Sequence, residues 1–445
     1  MTLVTRFTAV AVAAVALAAA VAARAHRHHA RRADPARPAQ AAREEHRVRD
    51  LDIAFFEARA ARDPYGAADA ARLSALLLAR GRATGSPADL SRAEAVARRS
   101  LDLRGARNDA ARLVLVNALM GRHAFLEARR EAERLVAQDP AELGRRALLG
   151  EILLELGDHD AAGAEFRRTL GVRGNPTVAA RVSRWYDVTG RTALAHHWML
   201  RARDAALALH AVPVEQVAWF HWRVADLALR HGHLGEAADA LAAGLAVAPD
   251  DHRLHAALAR LHLARGRARE AAAEGERALA TALDPATLAI VSDAYALQGN
   301  AAEAARYAAA LEAMAFADSL PPHRAWSLFL LDHGRRVPEV LARARADLRQ
   351  RHDVHAWDVY AWALFRAGRA AEADAAMAKA LAAGTEDAQL AYHAGVIAEA
   401  VGDTERASAW LLHALEWNDR WDPFQPADAR ARLGRIGRAR QAGDA

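Results

Sequence analysis

Histidine is the first residue type to weigh for chemistry, because 21 histidines stand in a chain with no cysteine. The missing thiols remove thiolate nucleophiles, cysteine-based zinc sites and disulfides. His26, His28 and His29 sit in a basic, proline-containing stretch with no carboxylate at ligand spacing, so a solvated linker is expected there. His255 and His262 lie seven apart on one helical face and are expected in the core or at its boundary. His196-His197 and His231/His233 flank turns; residues so close on one helix do not face a common site, and these are expected to be solvated. Groups that could do acid–base work, Asp226, His355, Asp358 and Glu399, fall on different segments. There is no HExxH, no GxSxG and no GxGxxG after a strand. A phosphate loop ending in Gly-Lys is impossible, since Lys379, the single lysine, follows Ala378. The chain reads as non-catalytic, with no cofactor and no metal site expected.

Recognition chemistry is better represented. Trp219, Trp222 and Asp226 are spaced three and four apart and share one helical face. Trp brings large apolar contact, and Arg brings a fixed fork for carboxylates and carbonyls. Such residues need elements to present them. The stretch from Leu143 to Leu170 supplies the outline: two helices with a tight turn at Gly157-Asp158. Leu149, Gly150, Leu153 and Leu156 form one apolar stripe, and Ala162, Phe166 and Leu170 form another. Neither helix buries its stripe alone, so each needs a neighbour. Runs of alternating β-formers are not found.

The outline resembles the tetratricopeptide repeat (TPR) family, with helical hairpins of about 34 residues. Leu149-Gly150, Gly157, Ala162, Phe166 and Pro176 fit its pattern, as do Trp357, Ala361, Leu364, Gly368, Ala373, Met377 and Ala380. Val224-Ala225, Gly232, Ala237, Leu241 and Pro249 fit again, and so do Leu258-Ala259, Gly266, Ala271, Ala278 and Pro285. The resemblance implies an all-α, right-handed α-solenoid of about ten hairpins with capping helices at both ends. It also implies a concave groove lined by the first helix of each hairpin. Counted from the turn glycines, the groove positions are Arg184, Asp187, Trp219, Trp222, Asp226, Arg230, Arg253, Arg260, Asp293, Arg324, Asp358, Trp362, Tyr392 and Glu399. Packing between repeats is the competing role for the Trp residues. A shared scaffold does not fix a function; the expected partner is a protein or peptide segment.

Charge is unevenly placed. Arg6 and Arg24 give residues 1–25 a charge of +2, and seven Arg against Asp34, Glu44 and Glu45 give residues 26–49 a charge of +4, leaving −1 of the net +5 for the rest. A near-neutral body argues against a nucleic-acid stripe along the array. Residues 1–25 read as a signal peptide or membrane anchor, with an apolar run over residues 7–23 and a cleavage-like Ala23-Arg24-Ala25. Export to the periplasm or the membrane surface is the expectation. Arg24, Arg27, Arg31 and Arg32 outweigh Arg6, which leaves open a cytoplasmic body on a reversed anchor. The further expected divisions are a linker over 26–46, a capping helix over 47–64, the repeat array over 65–425 and a C-terminal capping helix and tail over 426–445. Within the array, His123 stands where a turn glycine is expected, and Asp89 is expected to cap its helix.

Overall fold

The computed structural model describes residues 36–209, 212–317 and 324–443. The expected signal or anchor and His26, His28 and His29 lie outside the described residues. Among the described residues, no helix is long and apolar enough to cross a membrane.

The protein is an all-α solenoid. Helix α1 (Ala36–Arg62) covers one end and α22 (Gln425–Gly443) the other. Between them the helices pair in order: α2 (Ala67–Thr84) with α3 (Pro87–Leu103), α4 (Asp109–Gly121) with α5 (Phe125–Gln138), and α6 (Leu143–Glu155) with α7 (His159–Thr169). Next come α8 (Pro176–Val188) with α9 (Thr192–Leu207), α10 (Val214–Arg230) with α11 (Leu234–Val247), and α12 (His252–Ala264) with α13 (Ala268–Thr281). The last four pairs are α14 (Pro285–Leu297) with α15 (Ala301–Ala315), α16 (Arg324–Asp332) with α17 (Val337–Asp347), α18 (Val354–Arg366) with α19 (Ala370–Leu381), and α20 (Ala388–Ala400) with α21 (Thr404–Trp417). Helix α1 begins eleven residues before the expected start at Arg47, with Pro38 tolerated in its first turn.

Local chemistry explains the boundaries. Side chains of Asp158, Asn175, Asp251, Asp284, Asn300, Asp353, Asp387 and Asp403 cap their helices by accepting from backbone N–H groups two or three residues on. Ser86, not Asp89, caps α3; the Asp89 carboxylate is taken by Arg80 at 2.7 and 2.8 Å. His123 does adopt the left-handed turn conformation, φ 58°. Small residues mark the helix crossings: Ala128, Ala162, Ala195, Ala237, Ala271, Ala373 and Ala407, each a few residues into a second helix, are fully buried.

The distinctive feature lies beyond the repeat. The solenoid winds so tightly that it touches itself fewer than six hairpins later. Thr385 Oγ1 donates to the Val188 carbonyl at 2.5 Å, across 197 residues. Thr192 Oγ1 and Glu386 Oε2 are 3.2 Å apart, across 194 residues. The Asn418 amide donates to the carbonyls of Leu229 and Arg230 at 3.0 and 3.1 Å. Turns within hairpins of the first coil therefore meet loops between hairpins of the second. Helix α1 joins the seam through Arg49 and Glu215, 2.9 Å apart.

Gly190 isolates the cost of this contact. Its φ is +67°, and a Cβ there would collide with the Gly384 carbonyl; Gly266, φ +71°, has nothing within 4 Å. Gly266→Ala should cost about 1–2 kcal/mol, the left-handed penalty alone. Gly190→Ala should cost about 1–3 kcal/mol more, from forced overpacking. Urea-denaturation midpoints measure both, and equal losses would mean that the coils do not touch.

Candidate functional site

The inner wall carries charge in register with the repeat. Glu151 accepts from Arg181 at 2.7 Å, and Glu155 from Arg184. Asp187 is held by Arg230 and by His231 at 2.9 Å. Asp226 accepts from Arg260 at 2.8 Å and lies 3.4 Å from Arg230. Arg324 reaches Asp387 at 3.0 Å and Asp358 at 3.3 Å, while His393 Nδ1 meets Asp358 at 2.7 Å. Each first helix thus offers a charge to the next. Against burial, which pushes it up, Arg230, Arg260 and Arg223 hold the Asp226 carboxyl at about 2. Likewise against burial, Arg324 holds Asp387 well below the usual carboxylate range. Buried charges are tolerated only when paired this closely.

The ladder stops at a cavity of about 730 Å³ on the later part of the inner wall. Of the expected groove residues it gathers Asp226, Arg230, Arg260, Asp293, Arg324, Trp362 and Tyr392. The other seven are elsewhere. Asp358 is fully buried under Arg324 and His393, and Asp187 is 5% exposed beneath its own partners. Arg184 is taken by Glu155, and Glu399 by Arg432 of the C-terminal helix. Arg253 is bound to Asp251 and the Glu215 carbonyl at the loop edge. Trp219 and Trp222 pack against the core, with the Arg223 guanidinium 5.9 and 5.5 Å from their ring centres. The expectation that all these positions face an open groove needs correction. Trp362 and Tyr392, although they line the cavity, are 3% and 6% exposed, because Trp362 stacks on His393 at 4.1 Å and Tyr392 bonds Asp428 at 2.8 Å. The four candidates for acid–base work do not converge either; His355 is part-buried at the start of α18, where burial drives it down to about 4.

Several cavity residues were not anticipated: Asp332, His333, Asp422, Phe424 and Gln425. Asp332 precedes Gly334 by two residues, the register of Arg230 before Gly232, so extending the turn-glycine count would have found it. Asp422, Phe424 and Gln425 arrive because the segment after α21 folds back over the wall, for which the repeat pattern has no signal. Asp332 accepts from Trp362 Nε1 at 2.8 Å and from Gln425 Nε2 at 3.1 Å. Burial drives its carboxyl up to about 7, with Asp422 adding to the rise and His393, Trp362 and Arg366 opposing it. Burial raises Asp293 and Asp422 as well, opposed by His333 in the first case and by the N–H groups of Gln425 and Phe424 in the second. Among the described residues none of the three pairs with an Arg or Lys; Asp293 has only His333, at 2.9 Å.

No protein-family model matches the chain, and no curated protein matches it. Solved structures that resemble it include the type IV pilus biogenesis factor PilW, at 21% identity and a TM-score of 0.39, covering 48% of this chain and 97% of that one. A tetratricopeptide repeat protein from Parabacteroides merdae is 14% identical with a TM-score of 0.38, covering 55% of this chain and 94% of that one. A human IFIT1 dimer with PPP-AAAA is 14% identical with a TM-score of 0.43, covering 77% of this chain and 89% of that one.

Asp332 gives the cavity a pH signature. With its folded-state pKa raised to about 7, the folded protein holds a proton that the unfolded chain releases near 4. Its stabilising contribution is present at low pH and is lost as pH rises from about 4 through about 7. Asp332→Asn stays neutral throughout. The melting temperature of the variant minus that of the wild type should therefore become more positive between pH 5 and pH 8, by about 2 °C or more. A flat difference in thermal scans would mean that the carboxylate is ionised across this range.

Proposed function

We propose that the protein is a non-catalytic, exported scaffold that seats a short, positively charged protein segment in its inner-wall cavity. One observation carries this reading: a cavity of about 730 Å³ opens where the Arg–carboxylate ladder ends, and among the described residues no Arg or Lys pairs with the carboxylates of Asp293, Asp332 or Asp422, Asp293 meeting only His333. A guest Arg, Lys or terminal amine would supply the missing charge, and Phe424 and Trp421 would cover its aliphatic stem. The array is held by the seam before the guest arrives, so little ordering opposes binding and affinity rests on a few anchors. Protein is favoured over nucleic acid as the guest because the inner-wall Arg residues already bind carboxylates of the chain itself. Export through residues 1–25 completes the proposal and places the partner in the cell envelope.

A photo-crosslinking amino acid at Ala286, on the cavity wall, should capture a partner segment in whole cells, whereas the same group at Leu412, 48% exposed on α21, should not. The captured peptide should carry Arg, Lys or a free amine. Replacing Asp293 and Asp422 together by Asn should weaken capture by about 1–3 kcal/mol, or roughly 5- to 150-fold, while the fold survives. Equal capture from both positions, or capture indifferent to the double replacement, would place the interaction elsewhere. N-terminal sequencing of the chain from envelope fractions should read a start just after Ala25; a chain beginning at Met1 in the cytosol would remove export from the proposal.

A further inference from the structure

A second cavity, of about 390 Å³, opens on the seam itself, between α9, the start of α11 and the loop before α20. Histidines expected to be solvated meet there. His196 comes from α9, His233 immediately precedes α11, and Glu236 lies in the first turn of α11. Sequence neighbours on one helix do not share a site, but residues on adjacent hairpins do. The His196 side chain is 14% exposed, and His196 Nε2 is buried without a hydrogen-bond partner.

The geometry is that of a ligand set. One atom from each of His196, His233 and Glu236 lies within 4.8 Å of the other two. His196 Nδ1 is 3.4 Å from Glu236 Oε2, and His233 Nδ1 is 3.7 Å from the same oxygen. Donors bound at about 2.0–2.1 Å in a tetrahedral zinc site stand about 3.4 Å apart. Two imidazoles and a carboxylate are donors of the hardness that zinc and its neighbours take. Behind the set, His231 Nε2 is engaged by Asp187 at 2.9 Å. Across the seam, Glu386 lines the same cavity.

We propose that His196, His233 and Glu236 bind a divalent transition-metal ion, with zinc the best fit, and leave a fourth position to water or to Glu386. The ion ties the α8/α9 hairpin to the α10/α11 hairpin next to the contact between Thr192 and Glu386. It therefore acts as a clip between two adjacent hairpins beside the seam, independent of what the inner cavity holds.

The test uses the full chain with His26, His28 and His29 replaced by Ala, which removes the competing tract. Chelator-stripped protein is titrated with Zn2+ against a chromophoric competitor, and Co2+ is added in parallel to report coordination by its visible absorption. One equivalent should bind with a Kd of about 1 µM or tighter. Its addition should raise the melting temperature. Glu236→Gln and His233→Ala should each weaken binding at least about tenfold; His233 is 56% exposed, so its variant should melt like the parent without metal. Binding weaker than about 100 µM, or binding unchanged in the Glu236→Gln, His233→Ala double variant, overturns the proposal.

Discussion

The contact between successive coils is the constraint on which the rest of the molecule depends. An array of helical hairpins has no inherent need to touch itself, and an open groove leaves its inner side chains in water. Here the turns at Gly157, Gly190 and Gly232 press against loops nearly 200 residues later, and the inner wall is drawn into a confined space. Charges on different coils then feel one another: Arg230 senses Asp387, and Arg184 senses His355. In such surroundings an isolated ion is costly. The regular alternation of Arg and carboxylate along the first helices follows from the closeness of the coils more than from the needs of any single hairpin.

Where the alternation fails, the structure changes character. Beyond the Arg324 pairs the wall presents Asp332, Asp293 and Asp422, and among the described residues no guanidinium bonds their carboxylates; Arg366 reaches only the Asp332 main-chain carbonyl, at 3.1 Å. The segment from Trp421 to Gln425 closes over this region with neutral donors: Gln425 Nε2 reaches Asp332, and the N–H groups of Phe424 and Gln425 cap Asp422. Burial raises all three carboxyl groups, and His333 or neutral donors offset it only in part, whereas guanidinium groups overcome the same burial at Asp226 and Asp387. A wall that is balanced elsewhere is unbalanced here, and the imbalance coincides with open volume.

Much of this was readable from the chain. Turn glycines and the recurring small Ala are local signals that mark the hairpins, whereas the one cap expected, Asp89, went to Arg80 and Ser86 took its place. His123 in place of a turn glycine also took the left-handed turn conformation. What was not readable is non-local. The hydrogen bonds between coils join residues 188 to 197 apart, with no periodic mark to announce them. Without them, Asp187 and Asp358 look like groove residues rather than buried partners. The histidines failed for a related reason. Judged along one helix, His196 and His233 face nothing in common; across hairpins their rings lie 4.8 Å apart.

The two cavities are not separate accidents of packing. From His196 the path of contacts runs to the His231 ring at 5.5 Å, to Asp187 at 2.9 Å, through Arg230 to Asp226 at 3.4 Å, and on to Arg260 at the inner cavity. Contiguity alone does not transmit a signal; that requires an element with two arrangements which both sites bias. The hydrogen bonds between coils lie close to both ends of this path. Glu386, on the metal-side cavity, takes the Thr192 hydroxyl, and Asn418, a few residues before the segment over the inner cavity, bonds the end of α10. A guest against Trp421 and an ion beside Glu386 would each sit within a few residues of a hydrogen bond that joins the coils.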